Sequence, residues 1–296
     1  MKVLLTGATG FIGRQCYSQL KLLGCEVHAI SSHSHVNDSP AYWHKVDLLD
    51  DKQTKALIKK VRPTHLLHLA WYAEPGKYWE SVKNFHWVKA SLSLFEAFVA
   101  EGGERIIVAG SCAEYAWNDS YYKEDETLLK PTTVYGNCKH ALQLMLSAYA
   151  VQENISCTWG RVFSIYGPEE DNRRLVSSVV NGILRSKDVK CSNGSLVRDY
   201  LHVNDVSAAF IALLNSDVNG PVNIGSGTGV ALRDLVEKIE RKINNYGHLI
   251  VSDNAINTTE PPVMIADTNR IKSTGWTPKY DIESGLDDTI NWFKEH

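Results

Sequence analysis

Three glycines spaced three residues apart follow the first apolar segment of the chain. Gly7, Gly10 and Gly13 stand between an apolar run, Val3 to Thr6, and a segment with helical spacing that begins at Phe11. In this context the first glycine permits a tight turn, the second lets the backbone approach a diphosphate, and the third allows close packing of helix on strand. A helix N-terminus then offers free N–H groups to the diphosphate. A plain turn with small residues is the alternative, but the position directly after a strand favours a dinucleotide site.

Strands and helices alternate through the first half of the chain. The predicted strands are Val3 to Thr6, Cys25 to Ile30, Trp43 to Val46, His65 to Ala70, Arg105 to Ala109 and Ile155 to Phe163. The predicted helices are Phe11 to Leu23, one capped by Asp50 that ends before Pro63, Val82 to Ala100, and Val134 to Gln152. This alternation implies right-handed βαβ units and a parallel sheet. We therefore predict an α/β fold with a Rossmann-type doubly wound sheet, whose ligands bind at the carboxyl ends of the strands.

The pattern loosens after Gly167-Pro168. Predicted helices cover 172–185, 204–215, 232–243 and 286–294, and short strands cover 197–203 and 222–224. These strands are too few for a second full sheet, so we expect a smaller α/β substrate-binding cap that is interleaved with the main domain. The predicted dinucleotide-binding domain is 1–165, with 204–228 returning to it, and the cap is formed by 166–203 and 229–296.

Composition excludes several classes of protein. A net charge of −3 over 296 residues argues against a nucleic-acid binder, which needs a basic patch. No apolar run approaches the roughly 20 residues of a membrane span, and Met1-Lys2 leads directly into a strand without a secretory signal pattern. Six cysteines are scattered without a C-x-x-C pair, which is typical of reduced thiols. We expect a cytoplasmic protein without a membrane or nucleic-acid partner.

Tyr135 and Lys139 stand four residues apart in a predicted helix, so their side chains share one face. A nearby ammonium favours the phenolate, and we expect the pKa of Tyr135 to fall from about 10 toward neutrality. Such a tyrosine can give or take a proton while a hydride moves at the adjoining carbon. Ser111 follows the fifth predicted strand, so we expect it at the same carboxyl edge of the sheet as the glycine turn. A Tyr–Lys pair at this spacing is also common on solvated helix faces, and the glycine motif makes it specific.

The end of the second strand indicates which dinucleotide binds. An NAD site commonly carries Asp or Glu there, on the ribose hydroxyls, whereas this chain has Ser31, Ser32 and His33. The absence of a carboxylate favours NADP(H), with NAD(H) as the alternative. His33 and His35 are more typical of a solvated loop than of a metal site, and we predict no metal. Asp47 and Leu48 stand where adenine contacts are expected, or Asp47 begins the next helix.

The motifs together resemble the extended short-chain dehydrogenase/reductase superfamily, in its nucleotide-sugar epimerase, dehydratase and reductase branch. The resemblance spans nearly the whole chain. It rests on the glycine motif, His68-Leu69-Ala70, Ser111 with Tyr135-x-x-x-Lys139, Arg161-Val162-Phe163-x-x-Tyr166-Gly167-Pro168, Arg198-Asp199-Tyr200-Leu201-His202-Val203-x-Asp205, Asn223-Ile224-Gly225-Ser226-Gly227, and Gly275-Trp276-x-Pro278.

The resemblance implies roles for the matched residues. Tyr135 would be the acid/base, Lys139 would lower its pKa and hold the nicotinamide ribose, and Ser111 would hydrogen-bond to the reacting oxygen. Implied contacts to the coenzyme are Gly7, Thr9, Gly10, Phe11, Ile12, Gly13, Ser31, Ser32, His33, Asp47, Leu48, Leu69, Ala70, Trp71, Tyr135, Lys139 and Val162. Implied contacts to the substrate are Trp71, Tyr72, Ser111, Cys112, Ser164, Arg198 and Arg270.

Several of these assignments have alternatives. Arg198 suits a substrate diphosphate, or it forms an ion pair with Asp199, and Arg270 would add a second diphosphate contact. Trp71 and Tyr72 would stack on the nicotinamide, narrow the sugar pocket or fill the core. Relatives also imply a homodimer through the helices near 82–100 and 134–152.

The departures from the pattern restrict the reaction. Dehydratases of this branch carry Asp-Glu directly after the Ser/Thr, whereas here Cys112-Ala113 follow Ser111 and Glu114 comes one position later. We therefore predict an NAD(P)H-dependent reductase of a 4-keto sugar carried on a nucleoside diphosphate. The alternatives are a 4-epimerase that retains NAD, and a non-catalytic dinucleotide sensor or scaffold, which usually lacks the Tyr or Lys.

Overall fold

The computed structural model of the chain describes residues 1–32, 42–192, 194–252 and 261–296. The strands in these ranges are β1 (Lys2–Thr6), β2 (Glu26–Ser31), β3 (Tyr42–Lys45), β4 (His65–His68), β5 (Arg105–Ser111), β6 (Tyr121–Tyr122), β7 (Ser156–Val162), β8 (Ser164–Tyr166), β9 (Val189–Cys191), β10 (Val197–His202), β11 (Gly220–Ile224), β12 (Gly229–Ala231), β13 (Leu249–Val251) and β14 (Val263–Ala266). The helices are α1 (Phe11–Leu22), α2 (Asp51–Val61), α3 (Lys83–Ala100), α4 (Val134–Gln152), α5 (Leu175–Leu184), α6 (Val203–Leu214), α7 (Leu232–Ile243), α8 (Asn269–Lys272) and α9 (Ile282–Glu295).

The largest element of the fold is a parallel sheet. Among the described residues it has seven strands in the order β11-β7-β5-β4-β1-β2-β3, and every neighbouring pair is parallel. The predicted Rossmann-type doubly wound sheet is therefore confirmed. The strand order reverses between β1 and β4, and ligands of such sheets bind outside the carboxyl ends of the strands at this reversal.

Both faces of the large sheet are covered by helices. Alternate residues of β1 point to opposite faces, so Leu5 joins the apolar core that contains Phe210 of α6. Leu4 joins the core on the other face, with Phe98 of α3 and Leu142 of α4. The continuous apolar character of β1 is thus explained by burial on two sides. Within the described part of the chain, no helix is both long enough and apolar enough to cross a bilayer.

A second sheet corrects one expectation from the sequence. Within the described residues five strands form it, in the order β12-β10-β14-β6 with β8 paired to β10, and β9 pairs with β13 separately. We expected too few strands for a second sheet, because strands of two to six residues are too short to show an alternating pattern. β6 belongs to the first half of the chain, so that half contributes strands to both sheets. β11 extends the large sheet, and the domain boundaries, including the return of 204–228 to the first domain, stay a prediction.

Candidate active site

The glycine turn lies where β1 ends and α1 begins. Gly7 has a φ of +68°, and a Cβ on it would lie 2.8 Å from the main-chain N of Ala70. A Cβ on Gly13 would lie 1.9 Å from the carbonyl oxygen of Gly7, so Gly13 packs on the turn itself and no side chain fits. Gly10 is the N-cap of α1, and its N–H donates to the Gly7 carbonyl over 2.9 Å. Thr9, Phe11 and Ile12 complete this turn, which presents main-chain N–H groups at the edge of the sheet.

A buried histidine holds the neighbouring segment against this turn. The Nδ1 of His68 lies 2.8 Å from Oγ1 of Thr6, and its Nε2 lies 2.9 Å from Oγ of Ser91. The same Thr6 oxygen accepts hydrogen bonds from the main-chain N–H groups of Leu69 and Ala70. Burial, assisted by the charge of Lys139, lowers the pKa of His68 to about 3, so the ring is neutral at physiological pH. The His68-Leu69-Ala70 motif therefore fixes the backbone beside the glycine turn.

Ser111, Tyr135 and Lys139 lie together at the carboxyl edge of the sheet. Ser111 is the last residue of β5, which extends two residues beyond its predicted end. Tyr135 is in the first turn of α4, where Thr133 caps the helix by accepting from the N–H of Gly136. The Ser111 side chain lies close enough to Tyr135 to lower its pKa in part. Lys139 follows one turn later, is buried, and donates from Nζ to the carbonyl of Ala109 over 2.8 Å.

The protonation of this group differs from our expectation. Burial raises the pKa of Tyr135, Tyr78 raises it further, and Ser111 lowers it only in part. The predicted fall in this pKa is therefore wrong for the structure, because desolvation exceeds the opposing effect of Ser111. Nζ of Lys139 lies 6.0 Å from the centroid of the Tyr135 ring. Burial also lowers the pKa of Lys139 to about 7, against an opposing effect of Glu114.

Aromatic side chains from the segment after β4 surround Tyr135. The ring centroids of Tyr78 and Trp79 lie 4.9 and 5.7 Å from that of Tyr135, both edge-on. Trp71 is also edge-on to it, at 6.5 Å, and its ring lies 3.8 Å from Nζ of Lys139, in the geometry of a cation–π contact. Asn84 holds this segment by accepting from Nε1 of Trp71 and donating to the carbonyl of Tyr78. The sequence singled out Trp71 but gave no signal for Tyr78 and Trp79, which lie in a loop without periodicity.

Tyr72 contacts two charged side chains. Its hydroxyl donates to Oε2 of Glu74 over 3.0 Å, and the ammonium of Lys83 lies 4.4 Å from the centroid of its ring. Both partners are polar residues of the same loop and of the first turn of α3. Tyr72 is therefore not a core residue, and its predicted contact with the substrate stays a prediction.

Glu114 is a buried carboxylate whose place the sequence did not reveal. Residues Cys112–Glu114 form one turn of 3₁₀ helix directly after Ser111. Oε1 of Glu114 accepts from the main-chain N–H of Ser111 over 2.7 Å and from Nε1 of Trp159 over 2.8 Å. Its Oε2 accepts from Nε of Arg161 over 3.0 Å, and both charged side chains are fully buried. The carboxylate therefore points into the protein, beneath Ser111.

The other predicted coenzyme contacts lie along the same edge. Ser31 ends β2 and Ser32 follows it, whereas His33 lies outside the described residues. Val162 ends β7, in register with Ser111. Asp47 does not begin the next helix: its carboxylate accepts from the N–H of Leu49, and Asp50 caps α2. Leu48, between them, is buried.

Two of the predicted substrate contacts come just after strands that end at the site. Cys112 follows β5, and Ser164 is the first residue of β8. Arg198 is buried in β10, where Nη1 donates to the carbonyls of Val197 and Pro261 over 2.9 Å, and its charge acts on the Cys112 thiol. Asp199 accepts instead from the backbone of 226, 227 and 266.

The predicted diphosphate contact of Arg270 is wrong. Its Nη1 lies 3.1 Å from Oδ2 of Asp125, and its Nη2 donates to the carbonyl of Asn219 over 2.9 Å. Asn219 directly precedes β11, and Ser156, which donates to the Asn219 side chain, begins β7. Arg270 therefore lies at the amino ends of the strands, whereas Ser111, Val162 and the glycine turn lie at their carboxyl ends.

Comparisons with known proteins agree with this geometry. Residues 3–225 match the model of the NAD dependent epimerase/dehydratase family. The UDP-glucose 4-epimerase of Rhizobium meliloti (strain 1021) is 24% identical over 98% of this chain and 96% of its own, and the CDP-abequose synthase of Salmonella typhimurium (strain LT2) is 24% identical over 97% of each. The crystal structure of the Thermus thermophilus UDP-glucose 4-epimerase in complex with NAD has a TM-score of 0.89 and 23% identity, with 99% of both chains covered. The chain therefore belongs to the NAD dependent epimerase/dehydratase family of enzymes, as its resemblance to the extended short-chain dehydrogenase/reductases implied.

Proposed function

We propose that this protein reduces a 4-keto sugar carried on a nucleoside diphosphate, with NADPH as the coenzyme. The observation that carries the proposal is the joint placement of Ser111, Tyr135 and Lys139 beside the glycine turn, without a dehydratase acid/base pair. A nicotinamide held beside these residues would supply the hydride to the keto carbon. Tyr135 then gives its proton to the carbonyl oxygen, which becomes the new hydroxyl, while Ser111 holds that oxygen by a hydrogen bond.

The residues present fit a dinucleotide. The space that a Cβ on Gly7 or Gly13 would fill is already taken by the main chain of the turn and of Ala70, so only glycine lets the turn and the start of α1 pack this closely. The free N–H groups at the start of α1 suit a diphosphate. Lys139 has further donor capacity besides its bond to Ala109, and a ribose hydroxyl is the partner that the family implies.

The protonation state of Tyr135 is compatible with a role as proton donor. Burial raises its pKa further above the ordinary value, so the phenol carries its proton at neutral pH. An oxidation would instead need it to begin as a base. Once the proton is given, the phenolate is stabilised by the nearby ammonium of Lys139.

Elimination of water is not supported by the residues that follow Ser111. Burial raises the pKa of the Cys112 thiol to about 12, so at neutral pH it is neither a thiolate base nor an effective acid. Ala113 has no ionisable group, and both oxygens of Glu114 are bound inside the protein. A dehydratase needs an acid and a base at these positions, and the chain offers neither.

A 4-epimerase is the second candidate, because UDP-glucose 4-epimerases match this chain over nearly its full length. In that reaction the keto sugar rotates in the site between two hydride transfers, and the coenzyme returns to its starting form. A non-catalytic sensor is disfavoured by the presence of both Tyr135 and Lys139.

The preference for NADP(H) rests on the end of β2. Ser31 and Ser32 place no carboxylate there, and a carboxylate would repel a 2′-phosphate. The family is NAD dependent, so NAD(H) is the alternative. Fluorescence titration of the protein with NADPH and NADH tests this preference, and tighter binding of NADH would contradict it.

A homodimer is proposed through the outer faces of α3 and α4. Phe85 and Val82, at the start of α3, and Leu144 and Met145, in α4, are large apolar residues that are about half or more exposed. Relatives with this fold pair through the equivalent helices, and the proposal extends that analogy to this chain. Light scattering on the purified protein gives its mass, and a monomer at micromolar concentration would contradict the proposal.

The reaction itself is tested with a panel of nucleotide-linked 4-keto sugars. Purified protein is incubated with NADPH or NADH, and reduced coenzyme and product stereochemistry are followed. A reductase consumes one coenzyme per product, whereas an epimerase shows no net change. Tyr135→Phe should abolish turnover but retain coenzyme binding, and full activity in this variant would overturn the assignment.

A further inference from the structure

A fully buried ion pair lies under the site and has no part in the proposed chemistry. Glu114 and Arg161 contact each other with neither side chain exposed. The carboxylate has three kinds of donor: the main chain at Ser111, the indole of Trp159 and the guanidinium of Arg161. Such a pair is expensive to desolvate, and an apolar pair of similar volume often stabilises a fold as well or better. Packing alone therefore does not explain why a charge is kept here.

The position of Glu114 links it to two residues of the site. Its bond to the N–H of Ser111 closes the 3₁₀ turn, whose capping box also uses the Ser111 hydroxyl as the acceptor for Ala113. The carboxylate thus sets the orientation of the main chain from which the Ser111 hydroxyl projects. Trp159, which donates to Glu114, lies with its ring centroid 6.0 Å from Nζ of Lys139.

Lys139 has few charged groups around it. Glu114, in the turn after β5, raises the pKa of Lys139 against the effect of burial, and Glu114 itself pairs with Arg161 of β7. His68 of β4 is neutral. From α4 itself come Tyr135 and His140, a phenol and an imidazole whose pKa is lowered by burial. Its remaining contacts are the Ala109 carbonyl and the rings of residues 71 and 159. Within the described part of the chain, Glu114 is the one anion that acts on this ammonium.

We propose that Glu114 is a positioning residue of the active site, which holds the Ser111 main chain in place and favours the charged form of Lys139 against the effect of its dry environment. Arg161 then neutralises the rest of the buried charge and fixes the carboxylate's orientation. Only the effect of Glu114 on turnover rests on the proposed function. Its effect on coenzyme binding does not, because the charge on Lys139 also acts on the bound coenzyme.

The test is the pH dependence of coenzyme affinity in Glu114→Gln. The amide keeps the size of the side chain and removes its charge. Without that charge, Lys139 loses its proton at lower pH, so the rise in coenzyme Kd on the alkaline side should begin about one pH unit lower. A side chain that only supports the fold would weaken binding by the same factor at every pH. Fluorescence titrations between pH 5.5 and about 9 distinguish the two results.

Trp159→Phe is the matched control. It removes one donor to the same carboxylate and loosens the same network, but leaves the charge and the ion pair with Arg161. In Trp159→Phe, the rise in coenzyme Kd on the alkaline side (the alkaline limb of the pH profile) should begin at the same pH as in the wild type. A shift in Trp159→Phe equal to that in Glu114→Gln would assign the effect to packing and overturn the proposal.

Glu114→Gln leaves a buried guanidinium without its anion and can fail to fold. Glu114→Gln/Arg161→Met then removes both charges, which buried pairs tolerate far better than the loss of one partner. Folding is checked by circular dichroism and thermal melting. A folded double variant with a wild-type alkaline limb overturns the proposal, and a limb shifted to lower pH supports it. If no keto sugar is turned over by the wild type, the proposed reaction fails, while the coenzyme titration still decides the role of Glu114.

Discussion

Replacing Lys139 with methionine should make the protein more stable and inactive. The side chain is 3% exposed and lies in the middle of α4. Methionine has nearly the same length, no charge, and tolerates irregular apolar surroundings. The change removes the ammonium that would stabilise the phenolate of Tyr135 and hold the ribose, so turnover should disappear.

The size of the stability gain follows from the pKa of Lys139, which burial lowers from 10.5 to about 7. Below pH 7 both the folded and the unfolded chain carry the proton, and the full cost of the buried charge is present. Between pH 7 and 10.5 the unfolded chain keeps the proton while the folded protein releases it, so the wild type becomes more stable as the pH rises. At about 1.4 kcal/mol per pH unit, the cost is on the order of 4 to 5 kcal/mol at low pH and fades by pH 10.5.

Urea denaturation of the wild type and Lys139→Met, followed by tryptophan fluorescence at pH 6.5, 8 and 9.5, measures this difference. The variant's advantage should be greatest at pH 6.5 and shrink at each higher pH. Lys59→Met, on the exposed side of α2, is the control and should show no such trend. A Lys139→Met protein that is less stable than the wild type at pH 6.5 would refute the reasoning, because the contacts of the ammonium would then outweigh its desolvation.

Three further predictions test the turn, the buried histidine and the corrected arginine. Gly13→Ala should abolish folding or coenzyme binding, because the new Cβ would lie 1.9 Å from the Gly7 carbonyl oxygen; soluble expression and coenzyme titration measure it, and wild-type affinity would contradict it. His68→Gln should flatten the fall in stability between pH 6.5 and about 3, since only the unfolded wild type binds a proton at His68 in that window; urea denaturation at pH 5 and 7 shows whether the slope remains. Arg270→Ala should change the KM for the nucleotide sugar by no more than about twofold. It should lower the free energy of unfolding by ~0.5 kcal/mol, as expected for a partly exposed ion pair with Asp125. A tenfold rise in KM would indicate that Arg270 contacts the substrate after all.

The parts of the fold that the sequence predicted are those set by local pattern. β1, the glycine turn and α1 were recognised because an apolar run, three glycines and a helical period follow one another without a gap. The large parallel sheet followed from the alternation of such units. The second sheet was missed because β6, β8 and β12 have only two or three residues, and their pairing is decided by partners far along the chain. No window of sequence contains that information.

The same division applies to the site. Ser111, Tyr135 and Lys139 were recognised because the spacing of the last two and the strand-end position of the first are local properties. Glu114 is linked to Ser111 by a local capping box, but its burial depends on donors about 45 positions away, which no local pattern shows. Arg270 was misplaced for the complementary reason: its motif lies near the end of the chain, and only the tertiary structure shows which end of β11 it approaches.

Burial changes what the Tyr–Lys pair does. From the sequence alone, Lys139 is simply a cation that acidifies Tyr135. In the structure, removal from water acts on both groups and in opposite directions, raising the pKa of the phenol and lowering that of the ammonium. The neutral form of each group is therefore favoured relative to the same group in water. When Tyr135 gives its proton to a substrate oxygen, a Lys139 that already carries its proton stabilises the phenolate by charge attraction. Tyr135 thus holds its proton at neutral pH, as its proposed role of proton donor requires, and the charge state of Lys139 decides how easily that proton leaves.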